Sequence, residues 1–372
     1  MAKFKDICTK IGSGATPKGG KEAYCNEGIS LIRSQNVLDF AFSADGLAYI
    51  NDSQADKLKN VVVEAGDVLL NITGDSVARA CMVDNDYLPA RVNQHVCIIR
   101  ANPLVVTPSY LLYYLQMNKE YLLQLASGGA TRNALTKEMI SNLELELPPL
   151  EEQRKMVALL DAIQNRIAYN KAINENLLQQ VTALFCNLFS KYEQAPDTYK
   201  LLSNIAKFKY GTMPKKDKLG IGQYNAFSGY QIVGTYPEVM FENPQLIIVA
   251  RGVGGCGDIK YTPANCYLTN LSIAILTENT AHDDYLFHYL RLHDTKVMNT
   301  GSAQPQITIA TLEKYKLPIP PEEEMLLFSE FIQPFKMQYR NITNENKRLS
   351  ELRDSLLTKL ITGEIDLSDI QI

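Results

Sequence analysis

The chain has 372 residues, 46% of them hydrophobic and 21% charged, which gives room for two or three globular domains with cores of their own. No run of eighteen apolar residues occurs, so no transmembrane helix is expected, and the lysine-bearing start has no apolar block behind it, so no secretory signal is expected either. The formal net charge of −4 points away from a chain that binds nucleic acid over its whole surface, and seven cysteines with no CxxC pair fit a reducing cytoplasm better than a disulfide framework or a zinc ribbon.

In chain order, Asp6 to Lys18 leads into a globular body. Gly66 to Asp75 is an apolar run ending in glycine, the pattern of a buried strand and tight turn, and Ala90 to Arg100 reads as further strand. Pro108 to Gln116 has helical spacing. At Leu147 the character changes. Pro148 and Pro149 suit the first turn of a helix, and Glu151 and Glu152 favour its positive dipole end. Core-type positions then fall at Met156, Leu160, Ile163, Ile167, Asn170, Asn174, Leu177, Val181, Leu184 and Leu188, in alternating steps of four and three. That is the period of a seam between paired helices.

The whole order then repeats. Asn204 to Lys215 matches Asp6 to Lys18, with Ile205 over Ile7, Gly211 over Gly14, Pro214 over Pro17 and Lys215 over Lys18. Pro244 to Val253 matches Gly66 to Asp75, and Cys266 to Leu276 matches Ala90 to Arg100, with Asn270 set over Asn93. Asp283 to Arg291 repeats the short helix. Gly301 to Thr308 follows Gly129 to Thr136 at a distance of 172 residues, the same distance that carries Pro148 and Pro149 to Pro320 and Pro321, and Glu151 and Glu152 to Glu323 and Glu324. The second seam, Phe328 to Leu360, keeps the frame without a gap, with Asn346 and an unexpected Arg353 on it.

The expected architecture is therefore α+β: globular domains over 1–147 and 199–319, long helices over 148–190 and 320–372, and a polar link over 191–198. The two helices are expected to pair as an antiparallel coiled coil, each about 57 Å long over 38 residues at 1.5 Å per residue. Asn170, Asn174 and Asn346 would fix its register. Arg353 would snorkel outward or mark fraying.

Catalytic signals are weak. Gly252 to Gly257 matches G-x-G-x-x-G after an apolar run, but strand-like sequence with Pro263 follows where a nucleotide fold needs a helix. Gly14 to Lys21 has the wrong spacing for a phosphate loop, and the four histidines include no pair four apart. A dinucleotide-binding enzyme is the least favoured reading, and a coiled-coil scaffold protein is a stronger alternative. Recognition surface remains. Lys207, Lys209, Lys215 and Lys216, with Lys18 at the matched place, could meet phosphates. Arg33, Ser34, Gln35 and Asn36, and Arg79, Arg132 and Arg251 beside turn glycines, carry donors and acceptors suited to base edges.

These features together resemble the specificity subunit of type I restriction–modification systems. The resemblance covers essentially the whole chain and rests on LPPLEEQRKMV (Leu147 to Val157), its repeat LPIPPEEE (Leu317 to Glu324), LRDSLLTKLITGEI (Leu352 to Ile365) and the duplicated domain–helix order. It implies two target recognition domains, each reading one half of a split sequence in double-stranded DNA. The long helices would act as a ruler and as docking surface for two modification (methyltransferase) subunits. Restriction (motor and nuclease) subunits would join where present. S-adenosylmethionine, ATP and Mg are expected on those partners and no cofactor on this chain. Replacement of Gln153 by Met325 implies a different docking face on the second helix.

Overall fold

A computed structural model of the chain describes residues 1–17, 23–128, 133–252, 255–300 and 305–365. The backbone divides into two compact units, Met1–Lys171 with Thr343–Ile372, and Ala172–Ile342.

The first unit contains strands β1 (Cys8–Ser13), β2 (Ile29–Ile32), β3 (Ala48–Ile50), β4 (Val62–Val63), β5 (Val68–Asn71), β6 (Ala80–Met82), β7 (Ala90–Val92) and β8 (Val96–Ala101). They form two four-stranded sheets, ordered β1-β8-β5-β6 and β3-β2-β7-β4. Pairing is antiparallel except between β2 and β7, where Ser30 lies opposite Ala90 in parallel. The central strands are largely apolar because both of their faces are covered. Val68 and Leu70 of β5, with Cys97 and Ile99 of β8, enter the core shared with helices α1 (Pro108–Met117) and α2 (Lys119–Ser127). Leu69, Val96 and Ile98 point the other way, into the core between the sheets, as the two-residue period of a strand dictates.

The second unit repeats this plan with β9 (Ala206–Tyr210), β10 (Tyr224–Phe227), β11 (Ile232–Tyr236), β12 (Leu246–Val249), β13 (Ile259–Tyr261), β14 (Cys266–Leu268) and β15 (Ser272–Thr277). The sheets are ordered β9-β15-β12-β13 and β11-β10-β14, with β10 and β14 parallel. Among the described residues, only β4 lacks a counterpart. The repeat shifts by one residue between Ile7/Ile205 and Gly14/Gly211 because β1 carries a bulge between Cys8 and Lys10 and β9 pairs without one.

Strand register also corrects one sequence match. A Cβ on Gly14 would strike the carbonyls of Val92 and Asn93, and one on Gly211 those of Leu268 and Thr269. Asn93 therefore corresponds to Thr269, and Asn270 to Gln94.

Two long helices, α3 (Leu150–Glu193) and α5 (Glu322–Ile361), each contribute to both units, and the shorter α4 (Thr280–Leu292) lies between them in the chain. Inside the first unit α3 and α5 run antiparallel, with Arg353 Nη1 donating to Gln164 Oε1 at 2.7 Å and Asn170 Nδ2 to Asn346 Oδ1 at 2.9 Å. Inside the second unit Lys191 lies 2.9 Å from Glu324, in the same sense. Asn170 and Asn174 are buried on the seam, as expected of register-setting residues.

Three details depart from the expected seam. Beyond Val181 the buried residues are Phe185 and Phe189, not Leu184 and Leu188, because α3 there meets the aromatic face formed by Tyr285 and Phe328 rather than a coiled-coil groove. His288 of α4 stacks on Phe185, and burial pushes its imidazole down to about 4, so at neutral pH it packs as an uncharged ring. On α5, Leu357 rather than Leu356 is fully buried. Arg353 neither snorkels nor frays: it is 9% exposed, bonds Asp354 and Gln164, and lies 4.1 Å over the Phe40 ring. The arginine is tolerated because its charge, donors and flat face all find partners.

Among the described residues no helix is long and apolar enough to cross a membrane.

Candidate functional site

The first unit holds a cleft of about 470 Å³ where the turn after β5 faces the turn after β2 and the turn before β8; Gln35, Thr73, Asp75, Ser76, Arg79 and His95 line it. Asn71, at the end of β5 and fully buried, positions the site by donating to the carbonyls of Ser34 at 2.8 Å and Val37 at 3.2 Å. That bond pins the Ser34–Asn36 turn against the central strand. Ala78 takes a left-handed φ of 67° and closes the turn so that Arg79 rejoins the ladder facing the cleft. The Arg79 side chain makes no hydrogen bond or ion pair with any described residue, which leaves a half-exposed guanidinium aimed at whatever enters. His95 Nδ1 lies 2.5 Å from Thr73 Oγ1 and its Nε2 3.1 Å from Gln94 Nε2.

The same backbone recurs in the second unit with different side chains. Leu135 N–H donates to the Ile72 carbonyl, and Ile307 N–H to that of Ala250; Asn71 and Arg79 pair as Val249 and Asp258 do. In register, Thr73 therefore becomes Arg251, Arg79 becomes Asp258 and His95 becomes Leu271. Here the turn after β10 is short, and Tyr230 from it donates its hydroxyl to the Arg251 carbonyl at 2.7 Å. A Cβ on Gly252 or Gly255 would run into the Tyr230 ring, and Gly257 (φ 100°) stands where Ala78 does. Gly252, Gly255 and Gly257 thus make room for a tyrosine and a turn, a role that needs no nucleotide; residues 253 and 254 lie outside the described residues.

The expected recognition residues divide. Gln35 and Arg79 line the first cleft and Ser34 borders it; Arg251 is exposed at the matched place. Arg33 and Asn36 do not offer their side chains as expected. Asn36 is fully buried, its Nδ2 donating to the Ser43 and Asp45 carbonyls and its Oδ1 accepting from Arg33 N–H, while Arg33 Nη2 donates to the Gly46 carbonyl. Both hold the 33–47 loop closed. Gln35 shares that task through its Nε2, which donates to the Asp45 carbonyl at 3.1 Å. Lys207 and Lys209 are exposed on the edge strand β9, where lysine also discourages edge pairing. Lys215 and Lys216 are exposed beyond it. Lys18 and Arg132 lie outside the described residues. Thr73, Gln94 and His95 were not singled out in the sequence, since nothing in their spacing marks them before the turns fold together.

At the helix starts, Pro148 and Pro149 precede α3, and Pro320 and Pro321 precede α5. Glu151, Glu152 and Glu323 are exposed. Glu324 is engaged: bonds from Tyr192 and Lys191 hold its carboxyl below the usual carboxylate range. The Gln153 to Met325 difference is not a change of exposed face. Gln153 is buried, accepting from Thr107 N–H at 3.0 Å and donating to the Val105 and Pro148 carbonyls, and Met325 sits in the second core. Among the described residues no group of three or more His, Cys, Asp or Glu is placed to hold a metal.

The sequence profile of the type I restriction modification DNA specificity domain matches residues 1–179 and again 198–353. A Methanocaldococcus jannaschii protein named for the type I restriction enzyme MjaX specificity subunit is 22% identical over 405 residues, covering 98% of this chain and 93% of its own. The type I restriction enzyme HindI specificity subunit of Haemophilus influenzae is 23% identical, with 92% of this chain and 95% of that one covered. In fold, the chain resembles the crystal structure of the type I restriction–modification S subunit from M. genitalium, with a TM-score of 0.52, 16% identity, and 97% and 95% of the two chains covered. With a duplicated sandwich-and-helix unit matched twice by one profile along most of its length, the chain belongs to the type I restriction modification DNA specificity family.

Proposed function

We propose that this chain is the specificity subunit of a type I restriction–modification assembly, in which each unit reads one half of a bipartite sequence in double-stranded DNA. The observation that carries the reading is one backbone arrangement built twice, with Thr73, Arg79 and His95 around a cleft in one copy and Arg251, Asp258 and Leu271 at the matched positions of the other. A scaffold would have no use for one backbone arrangement kept twice with exchanged donors and acceptors, whereas reading two different half-sites needs such exchange. Arg79 and Arg251 are the cations we assign to base edges, and Lys207, Lys209, Lys215 and Lys216 to phosphates. The positive charge is local, so a net charge of −4 does not oppose it.

In this reading the chain carries no reaction. The long helices set the distance between half-sites and offer Glu151, Glu152 and Glu323 to two modification subunits. Those partners bind S-adenosylmethionine and methylate adenine; restriction subunits, where present, use ATP and Mg, and the assembly works in the cytoplasm.

The test is a genome-wide adenine methylation map in a methylation-free host that expresses this chain with its modification partner. A two-part motif with a fixed gap, lost when this chain is omitted, is the expected result. Exchanging residues 1–147 for another member's first domain should change one half of the motif only. No methylation, with a partner shown to be active beside another specificity chain, would favour the scaffold.

A further inference from the structure

We infer that the first unit carries a specificity determinant the second lacks: a hydrogen-bonded relay from Thr16 through Gln94 and His95 that fixes the Thr73 hydroxyl as a donor in the cleft beside Arg79. The inference rests on the proposal that this cleft meets DNA, and it adds which atom reads an acceptor there and what sets that atom's polarity.

The direction of the relay follows from donor and acceptor chemistry. The Thr16 hydroxyl donates to Gln94 Oε1. Gln94 Nε2 carries only hydrogens, so His95 Nε2, 3.1 Å away, accepts. A neutral imidazole that accepts at one nitrogen is protonated at the other, so His95 Nδ1 donates to Thr73 Oγ1 at 2.5 Å. The Thr73 hydroxyl hydrogen is then left over, in a cleft where the Arg79 guanidinium is also free to donate. Two neighbouring donors suit an acceptor-bearing base edge, such as guanine O6 and N7 or thymine O4. The orientation of the imidazole is held from behind as well, by its own backbone N–H donating to Asn93 Oδ1 at 3.0 Å.

The relay is not needed to build the fold. The second unit makes the same turns with Met213, Asn270, Leu271 and Arg251 at the four matched positions, and none of those four side chains can repeat the chain of bonds through an imidazole. Both Met213 and Thr16 are exposed, but only Thr16 has a hydroxyl, and it donates to Gln94. A polar relay kept in one copy and absent from the other, opening into the cleft, belongs to what that copy recognises.

Because every bond in the relay is set by its neighbour, its polarity can be inverted from outside. In Gln94→Glu the carboxylate only accepts, so His95 Nε2 must donate; with the ring neutral, which assay in vitro at alkaline pH secures, Nδ1 then accepts and the Thr73 hydroxyl donates inward to His95. Thr73 then presents lone pairs to the cleft. The experiment uses the full chain with its modification partner and reads the methylated motif base by base.

For Gln94→Glu, preference at one position of one half-site should move by about tenfold from G or T toward A or C, whose exocyclic amines donate, with the other half unchanged. Thr73→Val should flatten preference at that same position by about tenfold, and Thr73→Ser should keep it. If Thr73→Val and Gln94→Glu both leave discrimination unchanged at every position while the two-part motif persists, the relay is overturned and the bipartite reading stands. Should Thr73→Val abolish methylation altogether, Gln94→Glu and Thr73→Ser decide: an unchanged motif in the former overturns the relay. Absence of any two-part motif in the unaltered chain would remove the bipartite reading, and the relay with it.

Discussion

Gly14 and Gly211 occupy one structural position in two copies, and the reason is proximity rather than backbone angle. Each carries the chain across the end of a neighbouring strand so closely that a methyl group would overlap a carbonyl oxygen, of Val92 in one unit and Thr269 in the other. Backbone carbonyls cannot swing aside as a lysine can. Gly14→Ala should therefore cost about 1–3 kcal/mol, the usual scale of overpacking, and Gly211→Ala should match it. Gly12, two residues earlier, has open space around its Cβ position, so Gly12→Ala should be close to neutral. Hydrogen exchange resolved by unit would check this, with protection falling only in the unit that bears the change; equal tolerance at Gly12 and Gly14 would refute it. These glycines were legible from the repeat because each sits a fixed distance before a proline. Asn36 was not, because its amide is consumed by Ser43 and Asp45, and that closure exists only once the loop has folded. His95 and Thr73 were hidden for the same reason, lying 22 residues apart in sequence and 2.5 Å apart in space.

The long helices show how far periodicity reaches. From Met156 to Val181 each predicted seam position is buried, because the partner surface is another helix with the same period. Phe185 and Phe189 then take over in steps of four, since the partner becomes an aromatic cluster whose geometry no heptad encodes. Within the seam the Asn170–Asn346 bond makes a sharp prediction. Asn170 is 1% exposed, its Oδ1 has no hydrogen-bond partner among the described residues, and its Nδ2 donates to Asn346 Oδ1. Asn346→Leu would strand the remaining amide and cost about 1–3 kcal/mol. The double change Asn170→Leu with Asn346→Leu removes both polar groups and should recover that loss or exceed it, while loosening register. Thermal melts of the three chains test the order: single variant lowest, double variant at or above the parent. A single variant as stable as the parent would show that this asparagine pair contributes nothing.

At the scale of the molecule, each unit has its own large core, and both long helices are continuous through the residues where one unit ends and the other begins. If the units read half-sites independently, the length of those helices should appear in the recognised sequence as the gap and nowhere else. Removing one heptad from α3 between Asn170 and Val181, with the register-matched heptad of α5, keeps the seam in phase because seven residues complete its repeat. It shortens the helices by about 10 Å at 1.5 Å per residue, close to three base pairs at 3.4 Å each. The methylated motif should lose about three base pairs of gap and keep both half-sequences, at a reduced rate because three base pairs also turn one half-site about a third of the way round the duplex. Removing four residues instead breaks the phase and should lower stability before it alters any gap. A heptad deletion that left the gap unchanged would mean that something other than helix length sets it, and one that altered a half-sequence would mean that base reading extends beyond the unit to which its cleft belongs.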